Sequence, residues 1–446
     1  MSVFHVSVAT GVLSFSVRPA LAAFAGGYSI FPWGSDWSWY NEGLTLELAF
    51  SLVYSVSYIV MRWSLSRRPR SRAPVETRLS SRSLPITLAV GAGTLALMDR
   101  LSDGTWLATS RSVGITLAVP FGKVLFPLAA IALTVVPLLA SCDLAGPAAP
   151  GSRPLRLVGR RAVAIAGAAV SLVLLTLLYQ RGFVIVAALT VLWMLERRGR
   201  VGYPSLAVAG ILLLGAVGLL RPLANLLATG GGQEIHLHAD AWRALNALML
   251  YSTNFSVADV WPTAMAFVQR NGLLWGATLV SAPARVLTTV ARRDIGLLTG
   301  MDELNAFYFG DLYWRSNFGF NVSLSQDLFI NFGSLAMVLA ALPAGLTWLV
   351  DERLQRLRRL DMRSCFFVSF AFFSGGFIGE PGDVMEWGLA FAGLAWLLAM
   401  LERCTIRLGG GDVAREPRGL AGLPSRDETR DTADAGASPA SRRGSR

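Results

Sequence analysis

The sequence predicts an all-α fold, a polytopic integral membrane protein of about ten transmembrane helices with one large extracytoplasmic loop. Three observations carry this. Of 446 residues, 53% are hydrophobic and 15% charged, with mean hydropathy +0.49; a soluble domain carries roughly a quarter charged residues. The apolar runs are continuous rather than alternating, which selects helices over a barrel. Arginine concentrates in alternate loops between the runs, the positive-inside pattern.

A hydrocarbon core of about 30 Å needs about 20 helical residues at ~1.5 Å each. Runs of that scale occur near 3–30, 44–63, 84–98, 113–140, 162–179, 182–195, 203–220, 327–350, 364–379 and 384–401, with 84–98 and 182–195 the shortest. The first has no basic leader and no clear small-residue cleavage site, so it reads as a retained helix. Loops 62–82, 141–161, 196–204 and 351–363 and the tail 402–446 hold most of the arginines. Alternation then puts those loops and both termini in the cytoplasm, and 32–43, 99–112, 180–181, 221–326 and 380–383 outside. The arginines of 221–326 do not oppose this, because long segments translocate regardless of charge.

The organisation is thus a membrane domain over 1–401, containing the 221–326 loop, and a cytoplasmic tail over 402–446. From about residue 408 the tail is rich in Gly, Ser, Ala, Asp and Arg and is expected to be disordered for lack of apolar residues to bury. Segment 66–83 reads as a solvated topology determinant near anionic headgroups. The net charge of +11 suggests nucleic acid, but its placement between membrane runs argues against such a partner. Cys142, Cys365 and Cys404 all lie outside the large loop, so no disulfide framework and no cysteine metal site is expected there.

Polar residues gather at the expected outer face. Arg181 sits between two apolar runs in LLYQRGFVIV, at the tip of a tight helical hairpin, where it snorkels or binds a phosphate. Arg285 lies in LLWGATLVSAPARVLTTVARRD, followed by Arg292 and Arg293. Guanidinium groups make bidentate bonds to phosphate and stay charged at every relevant pH; the other reading is an interfacial helix anchored by its arginines. In FGDLYWRSNFGFNVSLSQDLFINFGS, Arg315, Ser323, Ser325, Gln326, Asp327 and Asn331 run into the start of a membrane helix. Asp327 there is either a helix cap or an acid/base carboxylate. Phe307, Tyr308, Tyr313, Trp314, Phe318 and Phe320 suit sugar stacking or an interfacial belt. His236 and His238 resemble a metal pair only loosely and would need further ligands such as Glu234 or Asp240; they read as loop histidines, and no metal and no cofactor is expected. Lys123, the only lysine, snorkels or faces a polar cavity. Glu380, Asp383 and Glu386 cap a helix or pair with an outer arginine.

The order of these features resembles the Wzy-type O-antigen polymerases, the oligosaccharide repeat-unit polymerases. The family shows an Arg-Gly at the hairpin, a Gly followed by a Pro-Arg element, and a Ser-x-x-(Gly-Glu)-x-x-x-Asn-Phe-Gly run. This chain has Arg181-Gly182, then Pro283-Ala284-Arg285, then Gln326-Asp327 in place of Gly-Glu, with Asn331-Phe332-Gly333 matching directly. At the last outer turn, Pro381-Gly382-Asp383 replaces the family's Arg-Gly-Asp. The likeness spans roughly 84–401, by order of features more than identity. It implies a glycosyltransferase on the outer face of the bacterial inner membrane, joining undecaprenyl-diphosphate-linked oligosaccharides into O-antigen, capsule or exopolysaccharide. Arg181 and Arg285 would hold the diphosphate, with Arg292, Arg293 and Arg315 in reserve. Asp327 would act as base or acceptor guide, with Ser325 and Asn331 as further substrate contacts. A chain-length regulator and a flippase would be partners, alongside membrane lipid.

Two other enzyme readings stay open, an O-antigen ligase and a polyprenyl-phosphate glycosyltransferase. The first expects a histidine motif that 309–333 lacks; the second expects paired carboxylates where 32–43 has only Asp36 and Glu42. A transporter or lipid-linked oligosaccharide flippase is the reading of another class; it expects charges within several helices and repeated halves.

Overall fold

The computed structural model describes residues 1–20, 37–65, 76–77, 79–80, 82–102, 121–145, 154–178, 181–202, 205, 208, 256–281, 283–284, 298–316, 319–376 and 381–408. Expectations for 21–30, for 203–220 apart from two residues, for 221–255 and for the tail beyond 408 lie outside these.

Helices make up nearly all of the described chain: α1 (Val3–Val12), α2 (Trp37–Leu65), α3 (Ser83–Leu101), α4 (Gly122–Ala145), α5 (Pro154–Leu177), α6 (Arg181–Arg197), α7 (Trp261–Asn271), α8 (Gly300–Phe309), α9 (Asp311–Ser316), α10 (Leu324–Phe332), α11 (Ala336–Leu339), α12 (Ala341–Arg356), α13 (Met362–Gly376) and α14 (Pro381–Leu408). Among the described residues, four helices are long and apolar enough to cross a membrane, within α2, α3, α4 and α14; a bent pair, 324–339 with 341–356, makes a fifth if taken as one span.

The most buried of these is α4. Nearly every residue from Ala129 to Ala140 is sealed from solvent, as expected of a helix apolar on all sides. Pro137 lies inside it and lacks the N–H that would bond the Leu133 carbonyl. Ser171 of α5 donates its hydroxyl to that carbonyl at 2.5 Å. A neighbouring side chain thereby satisfies the freed group, the usual remedy where no water is at hand. On the other flank Gly91 of α3 lies flush against Leu133.

Two apolar cores result. One centres on α4 and takes in α1, α3, α5, α6, α13 and α14; the second joins α2, α7, α8, α10 and α11. Outside them the exposed positions are often large and apolar. On α2 they form a stripe, Leu48, Leu52, Val56, Ile59 and Trp63, spaced to lie on one helix face. Such a surface suits lipid rather than water.

Segments that the arginine pattern assigns to one side meet in space. β1 (Glu76–Thr77) pairs in parallel with β2 (Arg359–Leu360). Arg197 donates to the Leu357 carbonyl at 3.0 Å, and Ser83 to Glu402 at 2.7 Å. Asp351 accepts from the Val3 and Phe4 amides at 2.7 and 3.2 Å, and from the Tyr58 hydroxyl at 2.7 Å.

One expectation needs correcting. The run 327–350 reads as a single helix, but the structure breaks it into α10, a 3-10 turn (Gly333–Leu335), α11 and α12, with a 63° bend between 324–339 and 341–356. Gly333 supplies the break, at φ 59° and ψ −141°, a region essentially restricted to glycine. A methyl group there would meet only Leu273 at ordinary contact distance. Gly333→Ala is therefore expected to cost about 1–3 kcal/mol through backbone strain alone, read as a lower thermal midpoint in detergent.

Candidate functional site

The most polar interior belongs to α10. Ser323 is its N-cap, and Ser323 and Gln326 form a reciprocal capping box, which settles the first orphan amides of the helix. The cap is thus Ser323, and Asp327 is not a cap: it lies one turn further in. Ser325, Gln326, Asp327 and Asn331 are all at most 1% exposed, so each needs a partner. Gln326 donates to the Val257 carbonyl at 2.7 Å. Asp327 Oδ1 accepts from the Thr278 hydroxyl at 2.7 Å. Asn331 Nδ2 donates to Thr278 Oγ1 at 2.5 Å and to the Asp327 carbonyl at 2.7 Å.

These bonds clasp α10 to segment 272–278. The Leu274 and Trp275 amides donate to the Ile330 and Asn331 carbonyls, each at 3.0 Å. The Gly276 amide donates to Asn331 Oδ1 at 2.9 Å. The last carbonyls of α10, which have no partner within the helix, are therefore taken by this segment. Gly272 and Gly276 adopt φ of 78° and 90° to allow it, and Trp275 adopts φ 51° without being a glycine. Beyond Thr278 the helical residues 279–281 and 283–284 lead directly to position 285.

A third wall comes from α8. Thr299 and Asp302 form a capping box at its start. A methyl group on Gly300 would overlap Asp327 Oδ1 and lie 2.8 Å from Asp327 Cγ. The carboxylate is thus pressed against the N-terminal end of a helix, where a negative charge is favoured. Asn305 pairs with both backbone groups of Phe320, at 2.8 and 3.0 Å, and Tyr313 donates to Asp302 at 2.5 Å. Half-buried Glu303 has its carboxyl pushed up by burial, reinforced by the neighbouring Asp302 charge.

The far side of α10 meets α2. Ser325 donates to the Glu47 carboxylate. Its one proton is then spent, so in the 2.8 Å contact between the two hydroxyls it is Ser323 that donates to Ser325. Gly43 leaves room for Trp261, whose Cγ would lie 2.6 Å from a methyl group there. The indole faces Glu47, its N–H short of hydrogen-bond geometry, and packs edge-on to Phe329 at 5.3 Å. Close by, Arg18 pairs with Asp259 in full burial, and Tyr40 joins both.

Neither a protein-family model nor a curated protein nor a solved structure matches the chain. The site is therefore read from its own geometry.

Of the residues the sequence marks, Asp327 and Asn331 come together at Thr278, while Ser325 is buried on the other face of α10 against Glu47. Arg181 opens α6, which packs against α4, α5 and α13 in the other apolar core; its side chain is outside the description. Arg315 lies in the last turn of α9 and Lys123 at the start of α4, and their side chains are likewise not described. Arg285, Arg292, Arg293, His236, His238 and Glu380 fall outside the described residues. Asp383 and Glu386 lie in the first turns of α14. Among the described residues no three His, Cys, Asp or Glu side chains are grouped to hold a metal ion.

Sequence reasoning missed Glu47, Thr278, Gly300 and the Arg18–Asp259 pair. Two of these carried a signal. Glu47 is a lone acid within an apolar run, and Arg18 a lone base within another; such residues in a membrane helix are functional or paired as a rule. Thr278 and Gly300 carried none, since nothing in their local sequence marks them.

Proposed function

We propose that the chain is a membrane glycosyltransferase that joins undecaprenyl-diphosphate-linked oligosaccharide repeat units on the outer face of a bacterial inner membrane. The single observation that carries this is the clasp. Two of the three segments on which the family resemblance rests, LLWGATLVSAPARVL and SLSQDLFINFG, are far apart in sequence and are bonded to each other through Thr278, Asp327, Asn331 and the Gly276 amide. The proposal includes about ten spans, both termini in the cytoplasm and 221–326 outside, by the arginine pattern.

In this reading an acceptor hydroxyl oxygen attacks the anomeric carbon of the donor sugar. The carbon–oxygen bond to the diphosphate breaks and its electron pair leaves with the lipid diphosphate. The acceptor proton passes to a carboxylate of the site. Arg285 and Arg181, with Arg292, Arg293 and Arg315 behind them, supply counter-charge for the departing diphosphate. Asp327 guides the acceptor and, through Thr278, holds the segment leading to Arg285 in place. Asn331 completes that hold, while Ser325 ties the opposite face of α10 to Glu47. Membrane lipid, a chain-length regulator and a flippase are the partners that the family resemblance implies.

In the cell that carries the gene, Arg285→Ala is expected to abolish polymer while single repeat units persist on the acceptor lipid. Normal chain-length ladders in that strain would overturn the proposal. Movement of lipid-linked sugar across reconstituted vesicles with no glycosidic bond formed would favour a flippase instead.

A further inference from the structure

Trp275 combines two features that oppose each other energetically. Its backbone sits at φ 51°, a conformation uncommon and costly for a residue with a bulky side chain. Its indole is 76% exposed, so packing of the ring does not offset that cost. The strain is imposed instead by the clasp, since the amides of Leu274, Trp275 and Gly276 are all engaged by the end of α10. A glycine would meet the same three bonds without strain. Strained residues held open in this way cluster at ligand clamps.

From this geometry we infer that Trp275 is a stacking platform for a sugar ring of the lipid-linked oligosaccharide. The inference rests on the function proposed above. An indole face carries partial negative charge, which suits the C–H bonds on the less polar face of a pyranose. Thr278, Asp327 and Asn331 of the same clasp are sealed from solvent and bonded to one another, so they hold the backbone beneath the ring and leave the ring itself as the contact surface. An anchor in the bilayer interface requires apolar area and a polar tip, and nothing in that role calls for a strained backbone. Trp275 is thus placed as a binding residue beside the clasp, and its loss weakens substrate capture more than turnover.

The probe is the pool of lipid-linked repeat units that accumulates in the Arg285→Ala strain, supplied to the full-length protein in lipid vesicles. Trp275→Gly relieves the backbone but removes the ring. It is expected to raise KM by about tenfold, the scale of one lost aromatic contact, with kcat near wild type and a thermal midpoint no lower. Trp275→Tyr keeps a ring and is expected to stay within about threefold of wild type in KM. Trp275→Leu keeps apolar area without a ring and should resemble Trp275→Gly. Wild-type KM in Trp275→Leu would assign the residue to lipid anchoring and overturn the inference. So would a fall in kcat at constant KM in Trp275→Gly, or a wild-type KM there. Failure of the wild-type protein to extend the units would sink the polymerase reading itself, a result distinct from all of these.

Discussion

Asp351→Ala is expected to lower stability by about 3–5 kcal/mol, the cost of removing the charged partner from a buried arrangement, because the buried Val3 amide and Tyr58 hydroxyl and the part-buried Phe4 amide lose their acceptor together. The carboxylate takes the Val3 and Phe4 amides at the start of α1 and the Tyr58 hydroxyl from α2. Ser2 caps the same turn through the His5 amide, and Asp351 alone among the described side chains takes the first two amides. A carboxylate at a helix N-terminus also gains from the helix dipole. Asp351→Asn keeps one acceptor oxygen and should fall between wild type and Asp351→Ala. Tyr58→Phe removes a single donor and should cost about 1 kcal/mol. Thermal unfolding in detergent reads all three, and an unchanged midpoint in Asp351→Ala would refute the arrangement at this end of the bundle.

Gly300→Ala should produce the other large effect, and in activity as much as in stability. The added methyl overlaps Asp327 Oδ1, and Asp327 cannot yield freely. Its oxygen is bonded to Thr278 and its backbone carbonyl to Asn331. Overpacking of this kind costs about 1–3 kcal/mol. Relief comes from pushing the carboxylate off Thr278, which removes one of the bonds holding segment 272–278 and shifts the residues that follow it. A shift of about 1 Å at a reacting group can cost on the order of 100-fold in rate, so polymer formation should fall by that order even where the protein still folds. Gly93→Ala is the control. Nothing lies within 4 Å of its added methyl, and alanine is the better helix former by about 0.5–1 kcal/mol. Equal behaviour of the two variants would show that α8 does not press on Asp327.

The helices themselves were legible in the sequence. The apolar runs at 44–63, 84–98, 182–195 and 384–401 fall within α2, α3, α6 and α14, because a continuous apolar stretch has few alternatives to a helix when no water is present to satisfy its backbone. The run at 327–350 misled for a physical reason. Hydropathy records which residues avoid water, not where the axis turns, and Gly333 turns it only because segment 272–275 takes the carbonyls that a longer helix would have used.

The candidate site was legible in part. Ser325, Asp327 and Asn331 stood out as polar residues entering an apolar run. Their roles depend on Thr278, Gly300 and Glu47, which reach α10 from three different stretches of the chain.

By itself the sequence determined the class of the molecule and where several long apolar helices lie, since both follow from local composition and from the cost of burying unpaired amides; it did not mark α7, α8 and α9 within the segment it read as a loop. Only the tertiary structure decided which polar side chains share one interior and which backbone must strain to hold them. Those outcomes depend on contacts between residues remote along the chain, and no local pattern of apolar and polar residues encodes a distance.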